Sequence, residues 1–257
     1  MSVPNPKDAT TSEVTENTLL EGRVRLRQPR SGYRVAIDPV LLAAAVPAQA
    51  GERVLDVGTG TGAAALCLLA RVEGCEVVGI EAQPEIARLA QENAALNHAA
   101  DRFRVLEGDL RSPPADAAMG RFDHAMANPP YLEAAAATPA RVAGKATANI
   151  EGEATLTDWV ACCARMVRHR GSVTVVHRAD RLDALLGAFR QHGLGAIVIT
   201  PLWPKLPGRD AKRVIVSGRR GARSPLRLTP GLVLHRDGGR FTAEADAILR
   251  GGAALRP

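Results

Sequence analysis

Asn128-Pro129-Pro130-Tyr131 is the tetrapeptide of this chain richest in chemistry. Its two prolines stiffen the backbone and remove two N–H donors. The Pro129 carbonyl therefore has no partner imposed by helix or strand and is free to face a ligand. The side-chain oxygen of Asn128 is a second acceptor. Two acceptors converging on one point suit a planar NH2 group. Bending that nitrogen toward tetrahedral geometry uncouples its lone pair from the π-system and makes it a nucleophile without a strong base. Tyr131 supplies a ring on which a flat base or an amide can lie.

A second constellation lies upstream. Val54-Leu55-Asp56-Val57-Gly58-Thr59-Gly60-Thr61-Gly62 reads as a strand, three alternating glycines and the start of an apolar helix. Glycines let the backbone approach a ligand closely, and the helix N-terminus offers free N–H groups. The cofactor is left open at this point, because Gly58, Gly60 and Ala63 also satisfy the dinucleotide pattern G-x-G-x-x-G/A. Glu81, 19 residues past Gly62, closes the next strand. Its carboxylate can accept from two vicinal ribose hydroxyls in either case. Asp109, in Gly108-Asp109-Leu110, ends a third strand and can accept from an adenine amino group. Together these residues indicate an adenosine-containing cofactor.

The elements that position them alternate regularly. Strands are predicted at 53–57, 76–81, 103–107, 122–127, 172–177, 194–200 and 213–217. Helices are predicted at 63–72, 84–97, 156–168 and 181–191. This alternation implies an α/β fold: a doubly wound, mostly parallel seven-stranded sheet with helices on both faces and an antiparallel edge strand. Ligands bind such a sheet outside the carboxyl ends of its strands, where the strand order switches. Asn128 then lies one strand from the glycine loop. Upstream, residues 22–37 alternate apolar and basic around Ser31-Gly32 and predict a hairpin. Asp38-Pro39 reads as a helix N-cap and N1 pair, with Pro47 closing the helix. Residues 1–18 are expected to be a mobile arm and 19–218 the main domain. Residues 219–257 are expected to be a basic C-terminal extension with a helical piece at 242–250. The stretch 132–155 reads as a long loop, functional or disordered.

Composition narrows the class. The chain has 257 residues, 46% hydrophobic and 23% charged, which excludes collagen-like and globally disordered chains. It has no apolar run of 18 residues and no apolar leader, so neither a membrane span nor a secretory signal is expected, and the expected location is cytoplasmic. Cys67, Cys75, Cys162 and Cys163 form no CxxC pair and lack His at zinc spacing. They read as buried hydrophobes, and no metal is expected. Net charge is +6, and from Lys205 onward twelve Lys/Arg face four acids. Arg23, Arg25, Arg27, Arg30 and Arg34 make a second basic cluster. This balance is compatible with a nucleic-acid partner. Trp159 falls on the apolar face of a helix and reads as core, and Trp203 at a strand end reads as packing. No catalytic role is assigned to His98, His124 or His177.

DVGTGTG at 56–62, Glu81, Asp109 and NPPY at 128–131 together resemble the class I S-adenosylmethionine-dependent methyltransferases of the amino-group type, a Rossmann-like fold, over about residues 22–218. QPRSGYRVAIDPVLLA at 28–43 is similar to the narrower family of bacterial tRNA adenine-N6 methyltransferases that modify valine tRNA beside its anticodon. The resemblance implies S-adenosylmethionine as cofactor and tRNA as partner. It implies that Gly58, Thr59, Gly60 and Gly62 wrap the methionine part, with Asp56 bracing the loop. Glu81 and Ala82 would lie at the ribose, and Asp109 and Leu110 at the adenine. Asn128, Pro129, Pro130 and Tyr131 would form the catalytic turn, with Asn128 also bordering the cofactor. The segment 33–38 would lie over the cofactor pocket and bring Arg34 and Asp38 there, although Asp38 equally suits a helix cap. Other members of the wider group methylate a glutamine amide in release factors or N2 of guanine in rRNA, and both acceptors present an NH2 group. A dinucleotide-dependent oxidoreductase would share the glycines but needs hydride-transfer residues not evident here. A non-catalytic RNA-binding module sits poorly with an intact glycine loop and an intact NPPY. Oligomeric state is not indicated.

Overall fold

The computed structural model describes residues 14–30, 35–117, 121–131, 154–205 and 209–256. In chain order these form β1 (Val14–Leu19), β2 (Val24–Pro29), α1 (Asp38–Ala45), β3 (Arg53–Val57), α2 (Ala63–Arg71), β4 (Glu76–Glu81), α3 (Pro84–Leu96), β5 (Phe103–Glu107) and β6 (Phe122–Ala127). There follow α4 (Leu156–Met166), β7 (Val167–Arg178), α5 (Leu182–Gln191), β8 (Leu194–Trp203), β9 (Arg213–Arg220), β10 (Arg227–Leu228), β11 (Leu232–Val233) and α6 (Ala243–Leu249).

Seven strands build the main sheet in the order β5-β4-β3-β6-β7-β9-β8, with the two-residue β10 and β11 along β8. All pairings are parallel except those of β9, which runs against both β7 and β8. The mostly parallel sheet and its antiparallel pair at one end are those expected from the alternation of strands and helices. Strand β3 is buried on both faces and so reads as an apolar run. Val54 joins the core under α1, α2 and α3, while Leu55 and Val57 join the core under α4 and α5.

Strand order reverses between β3 and β6. The chain steps outward from β3 to β5, then crosses to β6 on the other side. Register levels the carboxyl ends. Val57 faces Ile80 and Ala127, Glu81 faces Glu107, and Ala127 faces Val175. Because β9 is antiparallel, its first residue, Arg213, lies opposite Arg178 at the same end.

The N-terminal hairpin differs from expectation. It is β1 with β2, turning at Leu20–Gly22, and not a pair around Ser31-Gly32. Residues 31–34, Arg34 among them, lie outside the described residues, as do 1–13 and 132–153. Residues 14–18, expected in a mobile arm, are therefore strand. The sequence hid this because VTENTL is polar on both faces. What orders it is pairing with β2, with Glu16 between Arg25 and Arg27.

Two side-chain amides, Asn93 in α3 and Asn97 at its C-cap, dock the hairpin as a surrogate strand edge. Asn97 accepts from the Arg25 N–H and donates to the Arg25 carbonyl. Asn93 does the same for Arg27, and its amide also donates to the Thr61 carbonyl in the glycine loop at 2.9 Å. Asn93 is fully buried. Asn93→Ala strands a buried N–H and two carbonyls, and is expected to cost about 2–3 kcal/mol in urea unfolding. Unchanged stability would show that the amide is dispensable.

The chain beyond residue 218 packs into the same core. Ile248, Leu249 and Leu255 are buried with α1, and the Leu255 N–H donates to the Ala44 carbonyl.

Candidate active site

The glycine loop leaves β3 at the switch in strand order. Gly58, Gly60 and Gly62 all have positive φ, +63°, +57° and +86°. Their reasons differ. A Cβ on Gly58 would sit 2.1 Å from the Trp159 ring, and one on Gly62 would sit 2.7 Å from the Phe103 ring. These two glycines are required by packing. A Cβ on Gly60 would meet nothing within 4 Å. Gly60 therefore borders open space, the feature of a loop that cradles a ligand. Trp159 is in the core as expected, and it supports the loop from beneath.

Asp56 and Glu81 brace the loop from within. Asp56 is buried and accepts from the Thr59 hydroxyl at 2.6 Å. Burial pushes its carboxyl up to about 7, against the Thr59 hydrogen bond. Glu81, also buried, accepts from the Gly60 N–H at 2.9 Å and the Gln83 N–H at 3.0 Å. Burial raises its carboxyl too, and these backbone donors oppose the shift. The Ala82 N–H also bonds this carboxylate, and with about four lone-pair sites on its two oxygens it still has acceptor capacity for a hydroxyl. Ala82 beside it is exposed. Asp109 stands past the end of β5, half-exposed, with its carboxylate held by Arg111 at 2.7 Å. That hydrogen bond keeps Asp109 below the usual carboxylate range. Leu110 next to it is buried.

Asn128-Pro129-Pro130-Tyr131 follows β6 directly, across the switch from the glycine loop. The Tyr131 hydroxyl lies 3.0 Å from Oδ1 of Asn128 and donates to the Asp38 carboxylate. Asp38 is thus not the helix cap that Asp38-Pro39 suggested. It is the first residue of α1, no side chain caps the helix, and its carboxylate turns toward Tyr131. A charged donor and a phenol both compete for that carboxylate, and they outweigh the backbone N–H groups a cap would serve. Arg213 donates from Nε to Asp38 at 3.2 Å, and its guanidinium lies 4.2 Å over the Tyr131 ring. Burial opposes the Arg213 charge, but Asp38 and Tyr131 outweigh it and hold the guanidinium above its usual range.

His177 completes the cluster. It stands near the end of β7 with its ring perpendicular to Tyr131, centroids 5.7 Å apart. Burial, then the Arg181 charge, hold its imidazole down at about 4, while backbone groups of Pro130 and Arg178 work the other way. The neutral form is favoured in the fold, so this contribution is present above about pH 6.5 and lost as pH falls through 4. With about 1.4 kcal/mol per pH unit it amounts to about 3 kcal/mol. Relative to His177→Phe, wild-type stability is expected to fall by that amount between pH 7.5 and pH 4. Parallel pH profiles in chemical unfolding would contradict this.

Sequence reasoning missed Arg213, His177 and Asn93. Nothing local marks them, because the crossover order of the sheet is what brings 177 and 213 beside 131. Two other features lie apart from the site. Nδ1 of His124 is 2.7 Å from the Ser172 hydroxyl and its Nε2 is 2.9 Å from Glu52, a chain that ties β6 to β7 toward the other ends of the strands. Trp203 donates to the Pro230 carbonyl and holds the following segment to β8, in line with a packing role. The four cysteines are buried and free. Among the described residues no group of three or more His, Cys, Asp or Glu is arranged to hold a metal ion. No helix among them is long and apolar enough to cross a membrane.

A methyltransferase-domain family model matches residues 54–150, which include the glycine loop and NPPY. The tRNA1(Val) (adenine(37)-N6)-methyltransferase of Aeromonas hydrophila is 30% identical over 195 residues, 75% of this chain and 79% of that one. The protein of the same name from Porphyromonas gingivalis is 30% identical over 232 residues, 86% and 89% of the two chains. Among solved structures, that of a predicted O-methyltransferase from Agrobacterium tumefaciens superposes with a TM-score of 0.72 at 28% identity, covering 85% of this chain and 98% of that one.

Proposed function

From the chain's membership of the tRNA1(Val) (adenine(37)-N6)-methyltransferase family we infer that its target is N6 of the adenine at position 37 of a valine tRNA. The enzyme is an S-adenosylmethionine-dependent methyltransferase acting on adenine N6 in tRNA. The observation that carries the reading is the placement of the NPPY turn directly across the strand-order switch from an open glycine loop.

The residues fit the cofactor. Open space at Gly60 and a buried Glu81 with acceptor capacity to spare suit an adenosyl ligand with a ribose. Gly58, Thr59, Gly60 and Gly62 would surround its methionine part, braced by Asp56. Glu81 and Ala82 would hold the ribose, and Asp109 and Leu110 the adenine. When bound, S-adenosylmethionine supplies an electrophilic methyl group. Asn128 and the Pro129 carbonyl accept hydrogen bonds from the target NH2 and hold its lone pair toward that methyl. Pro130 fixes the turn, and Tyr131 offers a ring face to the adenine. The methylated amine is acidic enough to lose its proton to water, so no protein base is needed.

Residues 19–218 carry this chemistry. The basic segment 219–257 beside them supplies phosphate contacts to the tRNA, and the enzyme works in the cytoplasm with its substrate. Incubation with methyl-labelled S-adenosylmethionine tests the acceptor class. Label is expected in unmodified valine tRNA, with none in release-factor protein. Label in protein alone would refute the assignment.

A further inference from the structure

We propose that a short hairpin turning at residues 236–239 is a phosphate clasp, on which Arg236 and Arg240 hold the RNA backbone beside the target adenine. The inference rests on the reading above that the substrate is a tRNA. It narrows the phosphate contacts of the basic C-terminal segment to one part of that segment.

Topology divides the basic charge between the two ends of the sheet. Strand β9 runs against β7 and β8, so its last residues lie where those strands begin. Arg219 faces Ser172 and Gly195, and Arg220 faces Leu194. Arg223 follows soon after, and Arg190 stands in the last turn of α5, just before β8. Ser172 and Arg178 are separated by about 20 Å along β7. These cations therefore stand at the end of the sheet away from NPPY.

Arg236 and Arg240 stand at the crevice end. Leu202 of β8 is level with Arg213, and Arg213 is level with Arg178. Strand β11 runs parallel to β8 with Val233 opposite Trp203, so the chain leaves it toward the crevice. The Leu234 N–H then donates to the Trp203 carbonyl, and the His235 N–H to the Pro204 carbonyl. Outward from β6 come β7, β9, β8 and β11. Their spacing puts the hairpin about 19 Å to the side of NPPY, within reach of the same RNA molecule.

The hairpin is preorganised. The Arg236 N–H donates to the Arg240 carbonyl, and the Gly239 N–H to the Arg236 carbonyl. The His235 ring stacks on Phe241 with centroids 5.0 Å apart, and the Thr242 hydroxyl donates to the Val233 carbonyl at 2.7 Å. Gly238 and Gly239 both have positive φ, and a Cβ on either would meet nothing within 4 Å. The tip is therefore bare, and a ligand backbone can approach it closely. Its one carboxylate, Asp237, is paired with Lys205 at 2.5 Å. Arg236 and Arg240 are exposed, and among the described residues no carboxylate pairs with either. Two uncompensated guanidiniums on a fixed support suit phosphate groups.

The test removes equal charge at the two ends. Arg236→Gln/Arg240→Gln is compared with Arg190→Gln/Arg223→Gln, and all four side chains are exposed. Binding of an unmodified valine tRNA transcript is followed by fluorescence anisotropy over a salt series. Losing two phosphate contacts is expected to flatten the slope of log K against log salt by about 1.4–1.8. Affinity at low salt is expected to fall by about twentyfold. The far-end pair is expected to keep the wild-type slope and to bind within about threefold of wild type. In methyl transfer the clasp variant is expected to raise KM for tRNA while kcat stays within about twofold, because ground state and transition state lose the contact alike. A clasp variant with the wild-type slope, or equal losses from both pairs, would overturn the proposal.

The same measurements separate the clasp from the proposed function. A wild type that methylates the transcript, with an affinity indifferent to Arg236 and Arg240, would keep the function and remove the clasp. RNA binding with the expected change in slope, but no methyl group in adenine, would count against the function and support the clasp. A wild type that binds no RNA would overturn both.

Discussion

Asn128→Ala is expected to reduce methyl transfer by about a thousandfold while S-adenosylmethionine still binds within about tenfold of wild type. Removing one preorganised acceptor from the reacting group typically costs about 2.7–4 kcal/mol of transition-state stabilisation. In the proposed mechanism the loss falls on the group that turns an unreactive aromatic amine into a nucleophile, and the Pro129 carbonyl alone would not hold the tetrahedral geometry. The proposed cofactor cradle, the glycine loop with Glu81, lies instead across the strand-order switch. Asn128→Ala also leaves Tyr131 hydrogen-bonded to Asp38, so the turn keeps its main anchor. Single-turnover kinetics with calorimetric cofactor titration measure both quantities. Turnover within tenfold of wild type would remove Asn128 from the chemistry.

The glycine loop gives the second large effect, and it splits in two. Gly58→Ala places a methyl group 2.1 Å from Trp159 at a φ of +63°. The buried indole cannot yield without dislodging α4 from the sheet. Left-handed backbone costs about 1–2 kcal/mol and overpacking about 1–3 more. The variant is expected to unfold about 2–5 kcal/mol more readily and to lose cofactor binding with the loop. Gly60→Ala meets nothing within 4 Å. It is expected to cost only about 1–2 kcal/mol for its backbone conformation, yet to weaken S-adenosylmethionine by more than about tenfold, because the methyl enters the ligand's space. Chemical unfolding and calorimetry on the two variants separate these causes. Equal cofactor affinity in Gly60→Ala and wild type would mean that the loop is not the cradle.

Much of this architecture was legible in the chain. Strands β3 to β6 were marked to the residue because parallel strands buried on both faces are short apolar runs bounded by turn residues. The glycine loop and NPPY follow such runs directly. What escaped has a common cause. The β1 strand is polar on both faces, so alternation did not show it. Its partner β2 is in turn docked by the amides of Asn93 and Asn97, distant in sequence. Asp38 satisfies the local rule for a helix cap, but its carboxylate is claimed by Tyr131 and Arg213, residues 93 and 175 positions away. Arg213 and His177 carried no signal at all. They matter because an antiparallel strand inserted beside β7 brings the start of β9 to the rim of the crevice. Local rules thus located the glycine loop and the NPPY turn, and long-range pairing decided which side chains stand beside them.

This enzyme methylates the exocyclic amine of adenine in tRNA, and the proposed substrate is a valine tRNA. The most direct measurement is mass analysis of nucleosides from an unmodified valine tRNA transcript after incubation with enzyme and methyl-labelled S-adenosylmethionine. Label is expected in N6-methyladenosine, mapped to the position beside the anticodon and absent with Asn128→Ala. Label in N2-methylguanosine, or an unlabelled transcript, would contradict it.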